Sequence, residues 1–363
     1  MKIADRYVLR EFLKIFIFSV VTLMVFYEMV VFLDMVGYFV KFGATTDMVA
    51  RYMLFKVPMG VFHVTPICVL LASILTMGSM SRHSEITALR AAGMSLARIS
   101  APVIVASFII SMLAFLDSEK LFHLAARESN RIYYEEIKRQ PRKGLFSNER
   151  IWYKADDGSI WNIGHLDTSK REIRDISIFR FDPKGTRLVS RLSAPFGKAG
   201  ADGWTLTSCA ERTFSQSGWF EETLKDKCVL PGDVITDEDL KTAQLDPEEM
   251  NLQQMRAYIR DIKTKGYDHT RYTADMHAKI AFPLINLVMP LIAIPLGVRS
   301  SRRGGAMIGV GVAVVTGAVF WFMFSMGVAF GQAGKLAPWI SVYAAHLVFA
   351  GAGIKMFMAA ERD

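Results

Sequence analysis

The sequence predicts an α-helical membrane protein with six transmembrane helices, carrying an all-β domain (jelly-roll-like, or a β-sandwich) inserted between the third and fourth. Three observations carry this prediction. Three apolar segments, a long polar stretch and three further apolar segments follow one another along the chain. The 363 residues are 52% hydrophobic and yet 21% charged, at a mean hydropathy of +0.25, so the values average two environments. The charge gathers in the central stretch, where short runs of alternating apolar and polar residues replace the long apolar ones.

Crossing a bilayer core as a helix takes roughly 20 apolar residues. Residues 57–81, 99–116, 280–298, 304–334 and 336–354 contain no Asp, Glu, Lys or Arg. The first span, 12–37, is interrupted by Glu28 and Asp34, but its apolar character resumes after each. Pro58 and Pro66 predict kinks in the second span. Residues 1–118 therefore hold helices one to three, with a short surface helix near 82–93. Residues 119–272 form the inserted domain, with a β core of about 141–235 and flanking helices. Residues 273–363 hold helices four to six.

The net charge of +8 is not the footprint of a nucleic-acid binder, because Lys and Arg cluster beside the spans. Counted over alternate short loops, twelve basic residues, from Lys2 and Arg6 through Arg82, Arg90 and Arg98 to Arg303 and Arg362, oppose four: Lys41, Arg51, Lys56 and Lys335. The positive-inside rule then puts both termini and the loops 81–98 and 299–303 in the cytoplasm, and the inserted domain outside. The first apolar segment is too long for a signal-peptide core, and no small-residue cleavage site follows promptly.

Within the insertion, residues 118–140 keep a helical pattern until Pro141. The texture then changes to strands. Ile151-Trp152-Tyr153 and Ile160-Trp161-Asn162-Ile163 flank Asp157-Gly158, a hairpin signal. Residues 176–181 alternate, Pro183-Lys184-Gly185 turns the chain, and 187–192, 204–207 and 213–214 continue the series. Leu252, Met255, Tyr258, Ile259 and Ile262 recur at helical spacing up to Gly266, a C-cap that returns the chain to the membrane. Cys209 and Cys228 both fall in this domain; a disulfide and two free thiols are equally compatible with the sequence.

Enzyme chemistry finds little purchase. Gly197-Lys198 is followed by Ala199 and Gly334-Lys335 by Leu336, so neither completes a phosphate-binding loop. HExxH and GxSxG are absent, and His123, His165 and His269 lie too far apart to suggest a metal site. The sharpest local signal is the loop from Arg82 to Gly93. Glu85, Leu89 and Ala92 share one face of a short helix, with Ile86 and Arg90 on the adjoining face and Gly93 as its stop. A rigid rod between two spans moves them when a partner grips it; a solvated loop helix is the alternative.

Three stretches together resemble the LptF/LptG family of lipopolysaccharide export permeases. They are the opening Asp5-Arg6-Tyr7 with Arg10-Glu11-Phe12, the loop Arg82-His83-Ser84-Glu85-Ile86 with Leu89-Arg90-Ala91-Ala92-Gly93, and the return segment carrying Tyr258, Gly266, Tyr272, Lys279 and Pro283. The resemblance covers the whole chain. It implies a non-catalytic subunit of an ABC transporter in a bacterial inner membrane, paired with a paralogous permease and driven by a dimer of the cytoplasmic ATPase LptB, which binds the ATP and Mg. It further implies extraction of lipopolysaccharide and its delivery through LptC to the periplasmic bridge protein LptA.

On that resemblance, Arg82, Glu85, Ile86, Leu89, Arg90 and Gly93 belong to a coupling helix that docks on the ATPase, with Glu85 the acid that pairs with a basic residue there. Family members contact lipid phosphates through cations near the outer end of the first span. Here that stretch is acidic at Glu28 and Asp34, leaving Lys41, with Arg51 and Lys56 as alternatives. Gly305, Gly309, Gly327 and Gly331 suit a gate helix closing against the partner's first span, or plain tight packing. A membrane-anchored scaffold or sensor is the other reading. A proton-coupled transporter using Glu28, Asp34, His63 and His346 is a third.

Overall fold

The computed structural model describes residues 3–139, 151–154, 158–167, 172–182, 187–200, 203–215, 219–230, 246–264 and 268–362. The expected features at Pro141, Asp157, 183–185 and Gly266 lie outside these residues. The chain divides into two compact units: Met1–Ile132 with Asn251–Arg256 and His269–Asp363, and Tyr133–Met250 with Ala257–Asp268.

The first unit is helical. Helix α1 spans Ile3–Lys41, α2 Thr46–Arg82, α3 Glu85–Ala91 and α4 Leu96–Asp117. The chain continues through a π-helical turn, Ser118–Phe122, into α5, His123–Arg131, so the third span runs on as helix well past its apolar part. A further helix, α6, spans Leu252–Thr264 and is shared between the units. Helix α7 covers Thr270–Gln332 and α8 covers Pro338–Arg362. Among the described residues, six helical stretches are long and apolar enough to cross a membrane. Two of them, Thr270–Arg299 and Met307–Gln332, lie within α7.

Helix α7 is not straight but folds back on itself as a helical hairpin. Phe282 meets Trp321 with ring centroids 5.8 Å apart, and the Gln332 amide donates to Asp275 at 2.6 Å. A straight helix would hold Phe282 and Trp321 roughly 60 Å apart. The chain therefore reverses between Phe282 and Trp321, as the two separate apolar runs require.

Helix α2 and the first limb of α7 form the centre of the bundle, with 72% of each apolar window buried. Gly297 allows their close approach, since a Cβ there would meet the Ile74 carbonyl at 2.6 Å. Phe62 stacks on Phe282 at 4.5 Å and meets Phe122 edge-on at 5.1 Å, joining α2, α7 and the π-helical turn. Helix α1 is peripheral. Only 6% of its apolar window is buried, and Phe18, Val25 and Phe26 face outward.

The second unit is built on one six-stranded antiparallel sheet in simple meander order. Its strands are β1 Ile151–Lys154, β2 Ile160–Asp167, β3 Glu172–Phe181, β4 Leu188–Gly200, β5 Gly203–Phe214 and β6 Phe220–Leu230. The register shows how one sheet encloses a core. Ile173, Gly197 and Leu206 form one buried row; Ile163, Ile176, Ala194 and Cys209 form another. A flat pleat would put Ile173 and Ile176 on opposite faces, because side chains alternate with period two. The row between them contains Gly164, Asp175, Pro195 and Ser208, and the burial alternation resets there in β3, β4 and β5. Asp175 (φ 53) and Ser208 (φ 55) adopt the left-handed conformation that permits the reset. The sheet is creased along this row, and residues on both sides share one core with Trp161.

Strand β6 is absent from the sequence expectation. Its residues are charged and mostly exposed, with no buried face to impose an alternation. Lys225–Glu211 and Arg212–Glu222 pairs, each at 2.9 Å, tie it to β5. Charged side chains are a common protection for an edge strand. Cys209 and Cys228 are free thiols, not a disulfide. Cys228 stands opposite Leu206 on β5, three residues from Cys209.

Two measurements follow from this core. Trp161 is 2% exposed and its indole donates to the Ser159 hydroxyl at 2.9 Å. Trp161→Ala should cost about 3–5 kcal/mol, read from the unfolding transition of the full chain, with Trp161→Phe costing less. Burial, reinforced by a hydrogen bond with the Cys228 thiol, pushes the Cys209 thiol up to about 12. The thiol therefore stays protonated at neutral pH, where it is a poor nucleophile. Iodoacetamide at pH 7.5 should leave Cys209 unmodified in the native chain and modify it after denaturation; rapid native labelling would contradict the burial.

Candidate functional site

The loop helix α3 is defined by its ends. Helix α2 stops at Arg82, and Ser84 turns the chain in the left-handed region (φ 57). At the other end Gly93 (φ +83) donates its N–H to the Arg90 carbonyl at 2.9 Å, and Met94 donates to Leu89 at 3.1 Å. These paired bonds with a left-handed glycine form a Schellman stop. Between the ends, Ile86 is 3% exposed and Leu89 packs against the bundle core, so both anchor the helix inward. The outward face carries Thr87, Ala88 and Ala91, flanked by exposed Arg82 and His83. This face is small-sided and exposed.

Polar side chains fix α3 to both ends of the chain. From α1, the Tyr7 hydroxyl donates to Glu85 Oε1 at 3.1 Å. Arg90 donates to two carbonyls at the end of α8, Ala360 at 3.2 Å and Glu361 at 2.8 Å. The Glu361 carboxylate in turn accepts from the Leu96 and Ala97 amides at 3.2 and 3.1 Å, in the first turn of α4. Ser95 caps the same turn, accepting from the Arg98 amide at 3.1 Å. Arg98 pairs with Asp5 at 2.9 Å, joining α4 back to α1. The Asp5 side chain is 9% exposed and Arg98 43%, so the pair falls short of the 3–5 kcal/mol that breaking a fully buried one costs.

The six loop residues singled out by sequence thus divide by orientation. Ile86 and Leu89 face the core, Arg90 reaches α8, Gly93 shapes the stop, Glu85 holds Tyr7 at a partly exposed position, and Arg82 is exposed at the surface. Asp5 and Tyr7 stood in the opening motif, but nothing there assigned them a partner. Glu361 carried no signal, because its partners lie more than 260 positions away.

At the other end of α1, Lys41 is exposed, with its ammonium 5.6 Å from the Phe42 ring centre. Arg51 pairs with Asp47 at 2.9 Å, and Lys56 lies 5.3 Å from the Tyr52 ring centre. The three cations therefore sit on the α1–α2 turn and the first turns of α2, with Lys41 the most exposed at its helix end. Glu28 has both carboxylate oxygens buried without a hydrogen bond, and Lys56 is the charge whose field reaches it. Of the four glycines, Gly327 and Gly331 pack inside this chain. A Cβ on Gly327 would collide with the Ser341 carbonyl of α8, and one on Gly331 would lie 2.6 Å from the Ser341 hydroxyl. Gly309 is buried, and Gly305 falls in the helical stretch whose surroundings are not described. Among the described residues no group of His, Cys, Asp and Glu has metal-site geometry.

Comparison with known proteins gives a consistent result. The sequence profile of the family described as "Lipopolysaccharide export system permease LptF/LptG" matches residues 6–359. Two curated relatives are the "Lipopolysaccharide export system permease protein LptG" of Escherichia coli K12 and that of Escherichia coli O6:H1 strain CFT073. Each is 26% identical over 287 residues, covering 75% of this chain and 74% of the relative.

The glycine geometry predicts a contrast. Gly327→Ala forces α7 away from α8 and should cost about 1–3 kcal/mol of overpacking strain. Gly311→Ala, where an added Cβ meets nothing within 4 Å, should instead be neutral or stabilise by up to about 1 kcal/mol. Melting temperatures of the two variants should shift in opposite directions or differ by several degrees; equal shifts would contradict the packing.

Proposed function

We propose that this chain, which belongs to the LptF/LptG family of lipopolysaccharide export permeases, is a permease subunit that converts ATP hydrolysis in a separate cytoplasmic ATPase into extraction of lipopolysaccharide from the inner membrane. The observation that carries this reading is the family match along residues 6–359, together with a docking-sized helix fixed to three spans. The chain contributes no phosphate-binding loop, so ATP and Mg belong to the partner. Its own share of the work is mechanical and steric.

In this reading α3 and its basic flanks face the cytoplasm and seat on the ATPase, with Glu85 as the pairing acid. The rod cannot slide independently, since Ile86 and Leu89 are embedded in the core. Movement of the ATPase therefore reaches the spans. A paralogous permease completes the cavity against the apolar, uncovered face of α1. Apolar walls hold the acyl chains there. Lys41, with Arg51 and Lys56 near it, supplies positive charge for the phosphorylated sugars at the outer interface, a point-charge role that lysine and arginine serve well. Among the described residues β1 is an edge strand of the creased sheet without the charged cover of β6, and on the periplasmic side it offers strand pairing with LptC and onward to the LptA bridge.

Affinity purification with mass spectrometry tests the assembly. A cytoplasmic ATPase, a second six-span chain and lipid A should be recovered together; their absence would leave the chain as a lone anchor. The docking role is tested by Glu85→Lys. Truncating one member of a desolvated charge pair costs about 2–5 kcal/mol. Lipid extraction should therefore fall at least tenfold while membrane insertion is kept and the melting temperature falls only by the little that losing the Tyr7 hydrogen bond, about 1 kcal/mol, allows. Normal export by this variant would remove Glu85 from the interface.

A further inference from the structure

We infer that the end of α8 is an internal output arm of the loop helix, in which Arg90 and Glu361 act as positioning residues that carry displacement of α3 into the third and sixth spans together. The inference rests on the proposed ATPase coupling but assigns it a route inside this chain. Arg90 projects from α3 and donates to the Ala360 and Glu361 carbonyls. The last carbonyls of a helix have no intrahelical donors, and a cation there complements the helix dipole. The same residue, Glu361, then sends its carboxylate to the Leu96 and Ala97 amides, the equally unsatisfied donors at the start of α4. One side chain from the loop helix, one residue at the end of the sixth span and two amides at the start of the third span thus form a continuous chain of charge-assisted hydrogen bonds. Such bonds are shorter and stronger than neutral ones.

The placement argues for more than a local cap. Ala360 is 3% exposed and Leu96 is fully buried, so both ends of the link are fixed in the core and yield little. Ile86 and Leu89 anchor α3 by packing, which resists being pulled out but permits rocking. The polar link opposes rocking. Arg90 shares the seven-residue rod with Glu85, so a force applied at one reaches the other without intervening flexible chain.

The test uses the complete complex of this chain with its partner permease and ATPase, reconstituted with lipopolysaccharide. Glu361→Gln replaces one acceptor of the carboxylate by a donor that repels a facing amide. The expected result is assembly and ATP hydrolysis within twofold of the wild type, with at least tenfold more ATP consumed per lipid extracted. An unchanged ratio overturns the inference. So does a parallel fall of assembly, hydrolysis and extraction, which marks a structural cap only. A second pair of variants addresses the other half of the link. Arg90→Gln, which loses the charge on the α8 carbonyls, should raise the same ratio at least tenfold, and Arg90→Lys, which keeps it, should restore most of the coupling. A wild-type ratio in Arg90→Gln overturns the inference. Glu85→Lys, assayed in parallel, separates the two levels. Normal extraction by that variant removes the docking reading, and an altered ratio confined to the Glu361 and Arg90 variants leaves docking intact and supports the output arm.

Discussion

A seven-residue helix cannot hold itself together in water, because nucleation costs more than one or two turns return. The helix between the second and third spans therefore depends on what grips it, and so does the coupling proposed for it. Ile86 and Leu89 supply the apolar anchor. Tyr7, from the first helix, and the last turn of the chain, through Arg90, supply the directional part. The result is a rod whose small-sided outer face is presented at a fixed angle while its inner face is bound to three spans. A flexible loop at the same place could bind a partner but could not pass on its movement.

The two ends of the chain consequently have structural work to do. Asp5 and Tyr7 near the start, and Glu361 near the finish, meet the same stretch of residues 85–98. Remote segments of sequence are drawn to one end of the bundle by complementary, otherwise unsatisfied groups: a carboxylate to free amides, a guanidinium to free carbonyls. These interactions are individually modest. Their value lies in direction, since each fixes an angle that apolar packing leaves free.

The spans were legible in the sequence because a bilayer imposes a length and a composition that few other settings require. The all-β insert was legible from alternating runs such as 176–181. Its crease was not, because the resetting row combines Gly164, Asp175, Pro195 and Ser208, residues that individually read as ordinary strand interruptions. Their alignment is visible only once register is known. Strand β6 was hidden for a related reason, as an edge with almost no buried side chains has no periodicity to find. In the loop, spacing located the helix and its glycine stop, but not the orientation of Arg90. That side chain reads as surface charge in the sequence and caps α8 in the fold. Gly327 and Gly331 read as small residues available to any neighbour, and the neighbour is the chain's own last helix.

Sidedness decides the account most directly. A Thr87→Cys chain, with Cys68, Cys209 and Cys228 replaced, can be exposed to a membrane-impermeant maleimide in spheroplasts and in inverted inner-membrane vesicles. The account predicts labelling in the inverted vesicles and none in spheroplasts, with protection when the ATPase is bound. Labelling in spheroplasts would place α3 on the periplasmic face, out of reach of any cytoplasmic motor, and would contradict the central claim.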